Sequence, residues 1–211
     1  MTETKRWAVT RPWPVTLRED TPSGVVVLRP LRRRDSTAWV RLRQANASWL
    51  ERWEATSPDQ RGASASFAEY VRALSAQARA GTALPFVVEL DGALVGQLTV
   101  SSIQLGSLCS GSIGYWVGQE FAGRGIIPTA VAMATDYCFA IVGLHRVEIN
   151  IRPENAASLR VVEKLGYRDE GLRERYLHIQ GEWRDHRTFA LTTDDVPGGL
   201  LARWQQSRDD H

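Results

Sequence analysis

Hydrophobic and polar positions recur along the chain with two different periods, and each period predicts one kind of secondary structure. Apolar residues spaced by three or four predict helices that begin near residues 35, 67, 127 and 155. Alternation with a period of two predicts strands at 25–31, 85–90, 93–103, 112–117, 145–152, 173–179 and 183–191. This order predicts one α/β (α+β) domain, with about four helices on both sides of a mixed, mostly antiparallel sheet of about six to seven strands.

Short sequence signals mark where several of these elements end. The first helix, after Asp35, carries apolar residues as far as Leu50, and the second closes at Gly81, a residue type common just past a helix. Asp91-Gly92 is typical of a two-residue turn between paired strands. These signals predict a β-hairpin after the second helix.

The two ends of the chain lack this regular pattern. Residues 1–24 contain two Trp-and-Pro clusters, and we expect an irregular arm with at most a short strand at 15–18. Residues 196–211 are polar with two glycines and are expected to form a tail. The predicted domain therefore spans residues 25–195.

The composition limits the kinds of partner and the cellular location that we expect for the protein. The formal charge of +2 is too small to indicate a nucleic-acid partner. Cys109 and Cys138 are the two cysteines, too few for a disulfide framework or a four-ligand metal site, so we expect no metal and a cytoplasmic location. No apolar run approaches the length of a membrane span, and the N-terminus lacks the apolar centre of a signal peptide.

The central stretch, residues 111–141, joins a predicted strand to a predicted helix through the turn Ala122-Gly123-Arg124-Gly125. The first N–H groups of a helix have no partner within the helix and carry the positive end of its dipole, so such a turn can bind a phosphate group. A tight turn that uses glycine only for its geometry has the same pattern. By itself, the turn leaves both interpretations open.

A second stretch, residues 152–167, reads RPENAASLRVVEKLGY. Together with the central turn it resembles the GNAT acetyltransferase superfamily, whose acetyl-CoA loop R/Q-x-x-G-x-G/A precedes a strand and an Asn-led helix ending in Leu-Gly-aromatic. Segments 46–54, 170–173 and 181–186 resemble its RimJ/RimL branch, which acetylates N-terminal residues of ribosomal proteins. The resemblance covers about residues 25–195 and implies acetyl-CoA as the cosubstrate.

The resemblance also implies a set of cofactor-binding residues. The N–H of Val117, at the end of the opening strand, would meet the acyl oxygen, because this strand bulges and separates from its neighbour in the family. Asn155 would hold the pantetheine arm. Main-chain N–H groups that would hold the diphosphate belong to Gly123, Arg124, Gly125, Ile126, Ile127 and Thr129. The chain departs from the family pattern at the leading Arg/Gln, which is Ala122, and at the last small residue, which is Ile127.

The proton transfers are assigned by resemblance too. Many members carry a Tyr seven residues after the Asn, where this chain has Val162, and the RimJ/RimL branch carries a Ser three residues after it, which is Ser158. We assign Ser158 as the proton donor to the leaving thiolate. Glu148, which projects from the strand beside the expected cleft, is our candidate base, although a solvated carboxylate is an equal alternative. The acidic residue of the RimL pattern falls at Leu177.

Aromatic and acidic residues predict where the amine that accepts the acetyl group would bind. Glu54, which follows Trp53, matches the branch's Trp-Glu element and would contact the substrate. In the C-terminal hairpin, Tyr176, Trp183 and His186 would shape the other wall, and we expect His186 to be a strand histidine and not a catalytic one. An N-terminal amine has a pKa about 2.5 units below that of lysine, so its deprotonation costs about 3 kcal/mol less and a modest base suffices.

These observations favour transfer of acetyl to the N-terminal amine of a protein, such as the alanine or serine of a ribosomal protein. A small amine, such as an aminoglycoside or polyamine, is the second candidate, and an acidic, closed pocket would favour it. A non-catalytic CoA-binding or interaction module is the third. We expect a monomer or a homodimer.

Overall fold

The computed structural model of the protein describes residues 13–59 and 66–209. Within these residues the chain forms eight strands and six helices, slightly more than predicted. The strands are β1 (Leu17–Thr21), β2 (Gly24–Pro30), β3 (Leu84–Leu90), β4 (Ala93–Gln104), β5 (Ser110–Val117), β6 (Arg146–Ile151), β7 (Arg168–Ile179) and β8 (Glu182–Thr192). The helices are α1 (Ser36–Ala45), α2 (Ala47–Leu50), α3 (Phe67–Ala80), α4 (Ile126–Tyr137), α5 (Ala156–Lys164) and α6 (Leu200–Asp209).

All eight strands belong to one sheet in the order β1-β2-β3-β4-β5-β6-β8-β7. Neighbouring strands are antiparallel except β5 and β6, which are parallel. This confirms the predicted mixed, mostly antiparallel sheet. The single parallel pair lies near the middle of the sheet, where a long connection containing α4 joins β5 to β6.

Local sequence signals account for the elements that were predicted most closely. Helix α3 begins after Ser66, whose side chain accepts the N–H of Glu69 in a capping box, and it ends at Gly81 with φ 74°. Asp91 and Gly92 both have positive φ, 49° and 82°, as a two-residue hairpin turn requires. In each case the signal and the residues that it positions are only a few positions apart.

The first predicted helix is divided into α1 and α2 at Asn46, so its expected continuation to Leu50 is wrong. Asn46 has φ −114° and ψ 16°, and its Nδ2 donates to the Leu42 carbonyl. Its Oδ1 accepts the N–H of Gln119, 73 positions along the chain, at 2.8 Å. A buried asparagine therefore connects the α1–α2 corner to the segment that follows β5.

The expectation of an irregular arm over residues 1–24 needs correction where the structure describes it. Residues 17–21 form β1, which pairs with β2 in the register Leu17↔Leu28 to Thr21↔Gly24. Trp13 packs edge-on against Phe86 with ring centroids 5.2 Å apart. Residues 1–12 lie outside the described residues. The strand begins at Leu17, two positions later than the short strand predicted at 15–18.

The predicted polar tail is also wrong, because residues 200–209 form α6 and pack on α4. Leu200 is fully buried and Trp204 is 6% exposed. The Asp136 carboxylate accepts the N–H groups of Leu200 at 2.6 Å and Leu201 at 3.0 Å, so a residue of α4 caps the start of α6. The division of the chain into domains remains a prediction.

Helix α4 forms the centre of the hydrophobic core on one face of the sheet. Every residue from Ile126 to Tyr137 except Asp136 is buried. A helix buried on nearly all sides is held rigidly by packing, so its N-terminus has a fixed position relative to the sheet. None of the helices in the described part of the chain combines the length and apolar character needed to cross a membrane.

Candidate active site

The two parallel strands separate and open a cleft in the middle of the sheet. Their pairing covers Ser110↔Arg146, Gly111↔Val147 and Ser112↔Glu148, and it stops there although both strands continue. The cleft has a volume of about 560 Å³ and is bordered by β5, β6, the N-terminus of α4 and one face of α5. The expected separation of the opening strand from its neighbour is therefore present.

Val117 turns its main-chain groups toward this opening. The next residue, Gly118, donates its N–H to the Val95 carbonyl on the β4 side, and successive residues of a strand point their N–H groups to opposite sides. The Val117 carbonyl, on the opposite side, accepts the Trp49 indole N–H at 3.2 Å. The register between β4 and β5 is continuous from Ser101↔Ser112 to Gly96↔Val117, so the bulge expected near Val117 is absent there.

The glycine turn, which we define as residues 123–127, lies at the entrance of the cleft. Gly123 and Gly125 have φ 78° and 77°, in the left-handed region that other residues rarely adopt. Helix α4 begins at Ile126, so the N–H groups of Ile126 and Ile127 precede the first intrahelical partners. The Arg124 carbonyl accepts the Ser23 hydroxyl at 2.8 Å, which anchors the turn to the β1–β2 hairpin.

Two residues of the predicted diphosphate set differ from the others. Thr129 is excluded as a donor, because its N–H already donates to the Gly125 carbonyl at 3.1 Å. Its hydroxyl is buried too, and accepts the indole N–H of Trp204 at 3.0 Å. The Arg124 side chain lies over the Phe121 ring, 5.9 Å from its centroid, and does not line the cleft, so this residue offers its main chain alone.

Asn155 and Ser158 are brought together at the start of α5, on the cleft-facing side of the helix. The Asn155 Oδ1 accepts the Ser158 N–H at 3.1 Å, so the asparagine caps the helix as well as lining the cleft. The Ser158 carbonyl accepts the phenol O–H of Tyr115 at 3.5 Å. Burial raises the pKa of Tyr115, which keeps this phenol protonated. The main-chain N–H and carbonyl of Ser158 are therefore both fixed by hydrogen bonds.

Glu148 is not placed in the cleft, so its assignment as the base is wrong. Its Oε1 accepts Nε of Arg146 at 2.8 Å, and its Oε2 accepts a guanidinium nitrogen of Arg173 at 3.0 Å. Arg146 also pairs with Glu170, and a hydrogen bond from Arg146 holds the pKa of Glu170 below its usual range. Both carboxylate oxygens of Glu148 are therefore engaged by arginines away from the cleft lining.

Trp53 and Glu54, which were predicted to contact the acceptor, both line the cleft. The Glu54 carboxylate forms a bidentate pair with Arg43, in which the second contact is 2.6 Å. The Arg43 guanidinium also stacks on Trp39 and Trp116, 5.4 and 5.2 Å from the ring centroids. Glu54 therefore reaches the cleft with its charge already compensated.

Tyr176, by contrast, does not line the cleft, and its expected contact with substrate is wrong. The register of β7 against β8 shifts between Arg173↔His186 and Leu177↔Arg184, with Arg175 at φ 49°. This bulge turns the Tyr176 ring onto His186, at 5.7 Å between ring centroids, and places Leu177 in the cleft wall. Tyr176 supports a residue of the wall instead of forming it.

Several cleft residues were not identified from sequence. Asn150 lines the cleft and is the middle member of a polar row beside it, which we define as Ser112, Asn150 and Thr188. Asn150 donates to the Ser112 hydroxyl at 3.4 Å and accepts the Thr188 hydroxyl at 2.8 Å. The alternation along β6 placed Asn150 on the same face as Glu148, and this pattern could have identified Asn150 as a cleft residue. Arg160 and Lys164, one turn apart on α5, also line the cleft.

His186 is 4% exposed and contributes to the cleft lining. Its Nδ1 lies 3.0 Å from the Arg184 carbonyl. Burial lowers the pKa of His186, and the nearby positive charge of Arg152 lowers it further. In the described ranges, no three His, Cys, Asp or Glu side chains are grouped so that they could hold a metal ion.

Comparison with known proteins places this architecture in a family. Residues 26–168 match the model of the acetyltransferase (GNAT) domain. A solved structure of Mycobacterium smegmatis RimJ in complex with CoA-disulfide is 44% identical, with a TM-score of 0.87, and the match covers 93% of this chain and 96% of that one.

Curated relatives match over shorter regions. The probable N-acetyltransferase YjcK of Bacillus subtilis is 36% identical over 105 residues, which are 50% of this chain and 58% of the relative. The ribosomal protein uS5-alanine N-acetyltransferase of Escherichia coli is 36% identical over 106 residues, 50% of this chain and 55% of the relative. These alignments span little more than half the length of the curated relatives. The domain match and the long structural match nevertheless agree, and the chain belongs to the GNAT acetyltransferase family.

Proposed function

We propose that the protein transfers the acetyl group of acetyl-CoA to the N-terminal α-amine of a protein, with a ribosomal protein that begins with alanine or serine as the favoured acceptor. The observation that carries the proposal is the separation of β5 from β6 directly beside the glycine turn. It puts a helix N-terminus, suited to a diphosphate, next to an opening through the sheet where an acyl group and an amine can meet. The named activity of the E. coli relative and the CoA-disulfide bound in the M. smegmatis RimJ structure support the same assignment.

The chain's own groups fit CoA in three places. Main-chain N–H groups of residues 123–127 would hold the diphosphate, because glycines with positive φ and the start of α4 turn several donors toward one point. Asn155 would hold the pantetheine arm. The Val117 N–H, which faces the opening, would stabilise the negative charge that develops on the acyl oxygen.

Ser158 is the proposed proton donor to the departing thiolate. It lies in the first turn of α5 and lines the cleft, and its main chain is fixed by Asn155 and Tyr115. Because the main chain at this position is fixed, the hydroxyl can approach a thiolate in the cleft by side-chain rotation alone. Since Val162 is buried at the position where many members of the family have Tyr, Ser158 is the hydroxyl that α5 offers to the cleft.

The charges around the cleft favour a protein N-terminus over a polycation. Among the described residues, Glu54 is the one carboxylate that lines the cleft, and Arg43 already neutralises it. Arg152, Arg160 and Lys164 add positive charge. Aminoglycosides and polyamines would require a surplus of negative charge, which this lining lacks. The proposal places the reaction in the cytoplasm, with the enzyme as a monomer or a homodimer and neither a nucleic acid nor a membrane as partner.

The test is acetyl transfer by the purified protein to peptides that differ in their first two residues. We expect turnover of peptides beginning with alanine or serine, and none of the same peptides with a blocked N-terminus, which retain any lysine side chains. Spermidine, an aminoglycoside and free lysine serve as competing acceptors. Faster turnover of spermidine or the aminoglycoside would overturn the assigned acceptor. CoA binding without transfer to any amine would show the non-catalytic module instead.

A further inference from the structure

His186 lies across the opening from the proposed oxyanion donor. In the register of β6 and β8, Asn150 pairs with Thr188 and Ile151 with Arg187, so the next position, Arg152, is level with His186. On the other side, the pairing of β5 with β6 ends at Ser112↔Glu148, and β5 continues beside the opening to Val117. Val117 from β5 and His186 from β8 both line the cleft, and β6 lies between their strands in the sheet.

The hydrogen bonding of His186 fixes which nitrogen carries the proton. A carbonyl oxygen can only accept, so the contact of 3.0 Å between Nδ1 and the Arg184 carbonyl requires a hydrogen on Nδ1. The neutral ring then presents Nε2 as an acceptor. The edge of Tyr176 packs against the ring and holds its plane. The bulge in β7 thereby positions the imidazole.

Other candidates for a base in the cleft are already committed to other contacts. Glu148 is bound by two arginines outside the lining, and Glu54 is paired with Arg43. Tyr115 donates its proton to the Ser158 carbonyl. In the described lining, His186 is the one imidazole, the side chain whose ordinary pKa is nearest to neutral.

We propose that His186 is the general base of the transfer and that its Nε2 accepts the proton of the attacking amine, directly or through one water molecule. This inference rests on the proposed function. The amine lone pair forms the N–C bond while the carbonyl π pair moves to the oxygen facing Val117. The amine proton passes to Nε2, and the oxygen pair returns as the C–S bond breaks. The thiolate takes the proton of the Ser158 hydroxyl, the serine oxygen regains a proton from solvent, and the imidazolium returns its proton to solvent.

Charges around the ring determine its protonation state. Burial and the cation of Arg152 disfavour the imidazolium, whereas Asp185 and Glu154 favour it, and the net effect lowers the pKa of His186 from 6.5. Arg173 faces it from the paired position of β7. The ring is therefore neutral at physiological pH and ready to accept a proton. Activity should fall as the pH drops through this lowered pKa.

The first test is the pH dependence of kcat/KM for an alanine peptide. The free amine must lose a proton with a pKa of about 7.7 to 8, which alone gives log(kcat/KM) a slope of one on the acid side. If His186 must also be deprotonated, the slope becomes two at pH values below the pKa of His186, which is itself lowered from 6.5. A wild-type slope that stays at one would overturn the inference, whatever any variant does.

The second test is His186→Asn, whose side-chain N–H can replace Nδ1–H in the contact with Arg184 while Nε2 is removed. We expect kcat/KM at pH 7 to fall about 100-fold, within the usual contribution of a general base. The acid-side slope should return to one, while the CoA Kd and the Tm stay close to the wild-type values. His178→Asn is the matched control, because His178 belongs to the same hairpin and lies outside the cleft lining.

The outcomes separate the two proposals. A His186→Asn rate within threefold of wild type, or a retained slope of two, would overturn the role of His186 and leave the acetyltransferase assignment intact. No turnover of any N-terminal peptide by the wild type would overturn both. If the variant does not fold, the wild-type slope alone decides.

Discussion

The two walls of the cleft are built from different parts of the chain. The glycine turn uses main-chain N–H groups, whose positions depend on φ angles and on the start of α4. On the other wall, Asn150 and His186 line the cleft with side chains from β6 and β8. Hydrogen bonds to Ser112 and Thr188 hold the amide of Asn150, and the Arg184 carbonyl holds the ring of His186. A main-chain N–H is present whatever the side chain, so the glycine turn keeps its donors after many substitutions. The other wall loses its polar groups when their side chains are replaced.

The departures of this chain from the family pattern follow that division. In the turn, Ala122 and Ile127 replace the usual residues, yet the left-handed glycines and the helix start remain. On the other wall, the acidic position of the RimL pattern is occupied by Leu177, which lines the cleft with an apolar side chain. Binding of CoA through main-chain groups can therefore tolerate substitutions in the turn. When the acidic residue on the other wall is replaced, a different side chain has to accept the proton.

The largest effect should come from Gly125→Val, which attacks the main-chain wall. Added Cβ would meet no nearer atom than the Trp204 ring at 3.8 Å, so the penalty comes from φ 77° and not from crowding. A β-branched residue there costs about 1–3 kcal/mol of strain or displaces the donors. We expect the CoA Kd to rise about 100-fold by titration calorimetry.

Gly198→Val is the control for that prediction, because Gly198 lacks a positive φ and has no atom within 4 Å of an added Cβ. It should change the CoA Kd less than twofold. Equal Kd values for the Gly125 and Gly198 variants would mean that the turn does not bind the diphosphate through its main chain.

A smaller effect is expected from Ser158→Ala, which removes a side chain and leaves the donors of the turn in place. We expect kcat at pH 7 to fall about tenfold, because the leaving thiolate loses its proton donor, while the CoA Kd changes less than twofold. The loss should shrink above about pH 8.5, where a thiolate leaves without a proton. Steady-state kinetics at several pH values measures both.

Ser75→Ala, on α3 and outside the cleft lining, is the matched control for Ser158. Unchanged turnover of Ser158→Ala at every pH would show that this hydroxyl does not protonate the thiolate. A large rise in the CoA Kd would instead assign Ser158 to binding.

The sequence predicted an element correctly where the residue that terminates it lies close to it along the chain. The ends of α3 were predicted from Ser66 and Gly81 because both lie beside the helix that they terminate. Helix α6 was missed because Asp136, which caps it, is 64 positions away from Leu200 and belongs to an apolar helix. Periodicity carries no information about such a contact.

The same reasoning explains the candidate site. The residues of the turn, Asn155 and Ser158 form local motifs, and they line the cleft apart from Arg124 and from Thr129, whose N–H closes the first turn of α4. Glu148 was chosen for the face of its strand, but its partner Arg173 comes from β7, 25 positions away. Likewise, the bulge that turns Tyr176 onto His186 is set by the pairing of β7 with β8.

The smallest effect should follow removal of the charged side chains that border the cofactor side. Arg160→Ala and Lys164→Ala should each raise the CoA Kd about threefold at low salt, since exposed charges contribute about 0.2–1 kcal/mol. Most of this loss should disappear in 0.5 M NaCl, because the Debye length falls below about 8 Å and exposed charges farther apart than this length are largely screened. Arg79→Ala, which removes the same charge from α3, should leave the CoA Kd unchanged.

Salt dependence then separates the two kinds of contact directly. Strain at Gly125 is independent of ionic strength, so the effect of Gly125→Val should persist in 0.5 M NaCl while the effects at Arg160 and Lys164 fade. If the losses at Arg160 and Lys164 persist in salt, these side chains contact CoA in a desolvated environment, and the cofactor is held by side chains as much as by the turn. The distinction between a main-chain wall and a side-chain wall would then fail on the cofactor side.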